Sequence, residues 1–230
     1  NYDLYTSNTD HVGGQASVWH EYRYFAGNAS LSTTGTWISR LSGEATQQDG
    51  YRRYDTSLMF TNENDATQIS VGDVISDALS WSSSVRVGGI SYGRDFSLRP
   101  DLVTWPIPSF SGEAAVPTSV DVFINGYRAG SRQLEPGPFT LTNWPYINGA
   151  GDAVLVTTDA LGRQVSSTMP FYVASDLLKV GLSDGALTFG SLRRNYGIDD
   201  FNYGPVVGSG SYRYGLTDYL TLEAHGEGAQ

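Results

Sequence analysis

Residues 16–26, ASVWHEYRYFA, alternate. The even positions Ala16, Val18, His20, Tyr22, Tyr24 and Ala26 are mostly apolar or aromatic, and the odd set carries Ser17, Glu21 and Arg23. A period of two places such sets on opposite faces of a strand. Trp19 and Phe25 fall on the charged side, near the ends. Residues 31–41 repeat the pattern with Leu31, Thr33, Gly35, Trp37 and Leu41. Residues 51–61 set Tyr54, Thr56, Leu58 and Phe60 against Arg53 and Asp55, and residues 67–74 put Ile69 and Val71 on one face. Residues 85–92 alternate through Val85 and Val87 and then change phase at Gly88-Gly89, which predicts a bulge there. The joins at Asn8-Thr9-Asp10, Gln48-Asp49-Gly50 and residues 62–65 are rich in turn formers.

The same pattern returns near the C-terminus. Leu187 and Phe189 share a face. Val206, Gly208, Gly210, Tyr212 and Tyr214 oppose Ser209, Ser211 and Arg213. Leu220, Leu222 and Ala224 oppose Thr221, Glu223 and His225. The join at residues 215–218, GLTD, is short enough for a hairpin.

Between these flanks the sequence changes character. Residues 119–124, SVDVFI, predict a strand, and Asn125-Gly126 is the strongest hairpin signal in the chain. Pro136, Gly137 and Pro138 predict a rigid turn before Phe139-Thr140-Leu141. Asn148 to Asp152 leads into an apolar strand at 153–156, and residues 159–163, DALGR, turn into 164–173. Each of these features is explained by a small β-sandwich alone.

Alternation is shared by soluble sandwiches and membrane barrels. Three features favour a barrel for the flanks. Tyr and Trp gather near strand ends, as at membrane interfaces. The apolar faces are thin and padded with Gly and Thr. Charges such as Arg53 and Asp55 recur in mid-strand, which suits a water-filled lumen. The flanks hold about six strands before the insert and about three after it, and a lipid-exposed edge is not tolerated, so the set reads as an arc of a larger barrel. The fold expected is all-β: a partial transmembrane antiparallel barrel (1–112 and 175–230) with an inserted sandwich (113–174).

Composition narrows the function. The chain has 230 residues and no Cys, which excludes disulfides and thiolate metal sites. Its formal charge is −10, without the basic footprint of a nucleic-acid binder. Aromatic residues make up 13%, led by 15 Tyr, and there are 27 Gly, as suits strands and tight turns. No apolar run approaches the ~18 residues of a transmembrane helix, but a spanning strand needs only about 9–11. A mean hydropathy of −0.27 is compatible with such strands. No secretory signal is read at the N-terminus, where NYDLY already alternates, so the chain reads as a piece of a longer precursor.

Four stretches, VDVFINGYR, LEPGPFTLTNWPYINGAGD, DALGRQVSSTMPFYV and LRRNYG, together with FSLRPD at 96–101 and the run 102–110, closely resemble the outer-membrane ushers of the chaperone–usher pathway. The resemblance covers nearly the whole chain and is strongest over 96–197. It implies a pore in the outer membrane of a Gram-negative bacterium that secretes and assembles pilus or fimbrial subunits. It implies that 113–174 is a plug that blocks the pore and moves aside. Implied partners are periplasmic chaperone–subunit complexes, pilus subunits and outer-membrane lipid, with no nucleic acid, small-molecule substrate or cofactor. The periplasmic domains and later strands of a full usher are absent from this sequence.

No catalytic reading emerges. His11, His20 and His225 are isolated. Asp199-Asp200 lies in a loop. Gly208-Ser209-Gly210-Ser211 reads as strand and not as a nucleophile elbow. The chain is therefore not expected to be an enzyme. The alternative function is a soluble all-β carbohydrate-binding or adhesin-like protein whose exposed Tyr and Trp contact sugars. If the insert is a gate, weak polar contacts should hold it. The candidates are Arg128, Arg132, Glu135, Asp159 and Arg163 on the insert, and Glu21, Arg53, Asp55, Arg86 and Glu223 on the wall. Arg23, Arg213 and His225 are expected to face the lumen.

Overall fold

A computed structural model describes residues 1–9, 13–43, 49–107, 109–114, 116–141, 149–159 and 161–230. His11 and the turn positions Asp10, Gln48, Asn148 and Ala160 lie outside the described residues. Within them, the chain runs through β1 (Tyr2–Thr9), β2 (Gly13–Ala26), β3 (Ala29–Arg40), β4 (Gly50–Asn62), β5 (Thr67–Ile75) and β6 (Arg86–Arg94), followed by a 3-10 turn at Phe96–Leu98. Then come β7 (Phe110–Ala114), β8 (Thr118–Ile124), β9 (Tyr127–Leu134), β10 (Gly137–Leu141), β11 (Gly149–Asp159) and β12 (Gln164–Val173). The last strands are β13 (Ser183–Arg193), β14 (Tyr203–Thr217) and β15 (Leu220–Ala229).

Nine strands form one sheet in the order β1-β2-β3-β4-β5-β6-β13-β14-β15. Six precede the insert and three follow it, and β13 pairs antiparallel with β6 as though the insert were not there. The sheet is open.

Between β3 and β4 the register departs from simple alternation. β3 pairs with β4 as Leu31↔Leu58 and Thr33↔Thr56, then as Gly35↔Arg53 and Trp37↔Tyr51. The shift between Thr33 and Gly35 is a bulge, with one residue more on β4. The bulge expected at Gly88-Gly89 is absent: β6 runs without a shift against both β5 and β13. The phase change there comes from two consecutive glycines, whose missing side chains mimic a slip.

A second compact unit comprises Val103–Leu182 with Tyr214–Leu222. It holds a four-stranded sheet, β12-β11-β8-β9, and a two-stranded sheet, β10-β7. Phe110 and Leu141 from the small sheet join Val120, Val122, Ala153 and Leu155 from the large one in a buried cluster, so the two sheets pack face to face. Its first strand begins at Phe110, three residues before the boundary expected from sequence. Asn125 and Gly126, both at positive φ, make the two-residue turn between β8 and β9, the conformation an Asn-Gly hairpin favours. Pro136 sits in the next connection, but Gly137 and Pro138 belong to β10, paired with Ala114 and Glu113. Proline is tolerated there because β10 is an edge strand. The entry and exit of the unit are tied by Lys179 N–H donating to Thr104 O at 2.7 Å.

Candidate functional site

The register of the nine-stranded sheet sorts its side chains into two unlike faces. One row runs Tyr24–Leu31–Leu58–Val71–Ile90–Phe189 across six strands. The neighbouring row on the same face runs Ala29–Phe60–Ile69–Tyr92–Leu187. Most of these large side chains are exposed; Tyr24 is 69% and Phe189 is 61% accessible. On the opposite face the row reads Ser30–Met59–Ser70–Ser91–Thr188, and the next reads Arg23–Ser32–Ser57–Gly72–Gly89–Gly190. There the Ser91 and Thr188 hydroxyls hydrogen-bond at 2.9 Å. One largely apolar face and one largely polar face is the division a barrel wall requires in a membrane.

Residues 76–85 fold back along the polar face. The Ser211 hydroxyl donates to the Asp77 carboxylate. The Trp81 indole N–H donates to Glu223 at 2.9 Å, and its ring meets that of His225 edge-on. Arg213 Nε donates to the other Glu223 oxygen at 2.8 Å, and His225 Nε2 lies 2.7 Å from Glu227. Thus Arg213, Glu223 and His225 share one surface, although each is partnered.

Three of the wall candidates come together where β5 leaves β4. Pairing between these strands ends at Ser57↔Gly72, and Gly72 sits at φ 116°. Beyond it, Asp73 turns in and accepts from Arg53, from Thr56 N–H at 3.0 Å and from Tyr203 at 2.6 Å. Arg53 also donates to Asp200 O at 3.0 Å and lies 4.6 Å from the Phe201 ring. Beside this group, Arg86 Nη1 donates to both Asp55 oxygens at 3.0 and 3.1 Å, and the Tyr196 hydroxyl donates to Asp55 at 2.7 Å. Residues 194–202 therefore close the gap between β4 and β5. Burial and the Asp55 carboxylate push the Tyr196 phenol up to about 12. Amide donors on Asn195 and Asn202 hold Asp199 below the usual carboxylate range.

The bulge overturns the expectation that Arg53 simply faces water by parity. Arg53 pairs in register with Gly35, its side chain is 13% exposed, and it is engaged by Asp73. Glu21 lies elsewhere, held by Arg23 Nε at 2.6 Å and Asn1 Nδ2 at 2.9 Å. His20 packs against the rings of Tyr22 and Tyr51.

The candidates on the insert behave differently. Asp121 accepts from Arg128, whose Nε lies at 3.1 Å. Asp159 caps the β11–β12 turn, accepting from Leu161 and Arg163 N–H at 2.9 Å each and from Arg163 Nε at 2.7 Å. The Arg128 hydrogen bond lowers the Asp121 pKa, and the Arg163 backbone N–H, helped by its side chain, lowers that of Asp159. Arg132 and Glu135 form no ion pair among the described residues. Sequence reasoning missed Asp73, Tyr196 and Tyr203. Only the aspartate in an otherwise apolar strand end hinted at them.

Comparison with known proteins gives a consistent result. The family model for outer membrane usher proteins matches residues 24–229. The outer membrane usher protein FaeD of Escherichia coli is 29% identical over 204 residues, covering 87% of this chain and 24% of FaeD. The outer membrane usher protein PefC of Salmonella typhimurium is 26% identical over 233 residues, covering 96% of this chain and 27% of PefC. The chain thus spans about a quarter of the length of the curated relatives it matches. Among solved structures, the cryo-EM structure of the E. coli P pilus tip assembly intermediate PapC-PapD-PapK-PapG in its second conformation is similar in fold. It has a TM-score of 0.58 and 19% identity, over 99% of this chain and 28% of that one.

Proposed function

Since this chain belongs to the outer membrane usher family, we propose that it is the plug-bearing part of a Gram-negative outer-membrane pore that secretes and assembles pilus or fimbrial subunits. The observation that carries this reading is the two-faced nine-stranded sheet, interrupted between β6 and β13 by a unit with its own core. In this reading the tyrosine- and leucine-rich face meets lipid and the serine- and glycine-rich face lines the channel. The inserted unit is the plug. Its partners are chaperone–subunit complexes and the subunits themselves. The chain acts as a conduit and not as an enzyme.

Gating by polar contacts fits the charge inventory. Asp121, Arg128, Asp159 and Arg163 already hold the insert's own hairpins, and Arg53, Asp55, Arg86 and Glu223 already hold the wall. Arg132 and Glu135 are left available to bridge the two. Exposed pairs contribute only about 0–1 kcal/mol each, as a movable gate needs. The test is single-channel conductance of the full-length protein in a planar bilayer. Arg132→Ala with Glu135→Ala should raise the fraction of time spent open, and deletion of residues 103–182 should leave a permanently open channel. A channel that stayed closed after that deletion would refute the plug assignment. The soluble sugar-binding alternative is not favoured, because a band of exposed apolar side chains across six strands would aggregate in water.

A further inference from the structure

The connections at the two ends of the nine-stranded sheet differ in length. Where β6 ends, every connection except the one that carries the inserted unit is a short turn: residues 27–28, 63–66 and 218–219. At the other end one connection is short, at 10–12, and the remaining three are longer, at 41–49, 76–85 and 194–202. Outer-membrane barrels keep short turns on the periplasmic side and long loops outside. Arg94, the last residue of β6, is thereby placed at the periplasmic rim.

Arg94 belongs to the apolar face, two residues beyond Tyr92 and in register with Thr67. Its Nη1 donates to Ser183 O at 2.6 Å and to Ser183 Oγ at 3.2 Å, and the guanidinium lies 5.8 Å from the Phe96 ring. These contacts fix the side chain and leave it exposed. Immediately inward, a groove of about 320 Å³ opens between Tyr92, Leu187 and Tyr212, with Arg94 at its lip. Tyr92 and Leu187 also line a second groove of about 630 Å³, walled by Ile90 and Phe189. The two therefore make one largely apolar trench that leads from Arg94, with Ser183 and Asp184 beside it, into the hydrocarbon band. Its far side is low because β14 and β15 present Gly208, Gly210 and Gly226 there.

We propose that this trench is a binding site for a glycerophospholipid of the periplasmic leaflet, with an acyl chain along Leu187 and Phe189 and the phosphate on Arg94. The inference rests on the reading of the apolar face as lipid-facing. The physical argument has two parts. Hydrocarbon must fill an apolar groove inside a bilayer, because water there would leave its hydrogen bonds unmade. A guanidinium at headgroup level supplies a forked, permanently charged donor for phosphate oxygens. Charge and shape thus select an anionic head and a tail in the order in which the membrane presents them.

The test uses the full-length usher in mild detergent, with phosphatidylglycerol added and bound lipid counted by native mass spectrometry. Arg94→Gln should weaken retention of one lipid about tenfold, the effect of losing a hydrogen bond to a charged group. Gly226→Leu should also expel it by filling the trench, and a Cβ at Gly226 meets nothing within 4 Å, so the fold is spared. Arg94→Lys should retain more lipid than Arg94→Gln. Unchanged retention in both Arg94→Gln and Gly226→Leu would overturn the proposal. Displacement by inorganic phosphate alone would reduce the site to a plain anion contact, and preferential retention of lipid A would overturn the assignment to the periplasmic leaflet. The underlying reading is checked separately by a fluorophore on Val71→Cys in vesicles of brominated phosphatidylcholine. Quenching there with no effect of the two variants sinks the site alone, whereas absence of quenching sinks the lipid-facing reading itself.

Discussion

Tyr203 donates its phenolic proton to Oδ1 of Asp73 at 2.6 Å, joining the start of β14 to β5 across 130 positions of sequence. The other oxygen of Asp73 accepts from Arg53 and from the Thr56 backbone N–H. That N–H has lost its strand partner, since the β4–β5 ladder stops at Gly72. Asp73 therefore replaces a missing ladder bond with a side chain, and the loop between β13 and β14 seals the opening.

Breaking this group should be costly in a graded way. Asp73→Ala strands the Arg53 guanidinium, and removal of one member of a buried pair typically costs about 3–5 kcal/mol. Tyr203→Phe removes the hydroxyl that donates to Asp73 and accepts from Arg53 at 2.8 Å but leaves the Arg53–Asp73 pair in place; hydrogen bonds to charged groups are worth about 1.5–3 kcal/mol each. Thermal unfolding of the full-length protein should rank wild type above Tyr203→Phe above Asp73→Ala. Equal melting temperatures for all three would show that the cluster does not hold the wall.

Single cysteines should read the two faces. Ser70, Ser91 and Thr188 replaced one at a time by Cys should react with a charged, water-soluble maleimide once the plug is deleted. Cysteines at Val71, Ile90 and Phe189 should resist it, because each of these rows lies on the other face of the same strands. Arg213 and Glu223 positions are expected to group with the reactive set. Labelling that ignored the alternation would contradict the assignment of inside and outside.

Residues 103–182 should fold without detergent, as they carry a closed cluster around Val120, Val122 and Leu155. A domain of about 80 residues buries little surface, so cooperative unfolding of modest stability is expected by circular dichroism.

Acid should weaken that unit from one side only. Asp121 and Asp159 have folded-state pKa values below their ordinary ones. Their contribution is therefore complete above the ordinary carboxylate range near pH 4 and is lost as pH falls through the lowered values. The midpoint of urea unfolding should be flat from pH 7 to 5 and decline below pH 4. Asp159→Asn should flatten part of that decline, and a midpoint that rose on acidification would refute the sign.

Gly89→Val should damage the barrel more than its place in an exposed sheet suggests. A Cβ at Gly89 would fall 2.1 Å from the Phe189 carbonyl oxygen, which is backbone and cannot step aside. Overpacking costs about 1–3 kcal/mol where neighbours can give, and more here. A lower yield of heat-resistant folded protein on a gel would register the loss. Gly226→Ala, with no neighbour within 4 Å, should behave as wild type.

The alternation of residues such as Tyr22, Tyr24, Leu187 and Phe189 with Ser, Arg and Glu was enough to identify strands and two unlike faces, because the pleat ties side-chain direction to parity. Asn125-Gly126 was enough to place a hairpin, because few residue pairs tolerate two positive φ angles. The change of pattern near residue 113 and again after 174 is what makes the sequence read as an insert between two flanks. Other features depend on distant residues. The bulge opposite Thr34, which breaks parity at Arg53, arises from how β4 meets β3 and has no signature in β4 itself. The union of Arg53 with Asp73 and of Asp55 with Tyr196 needs strands β4 and β5 to part and a loop more than a hundred positions away to enter the gap. The trench below Arg94 exists only because β13 and β14 lie side by side, so that large residues on one strand face glycines on the next. Periodicity is a local property written in each strand, whereas a gap, a bulge or a groove is a property of how two strands meet, and only the tertiary structure decides that.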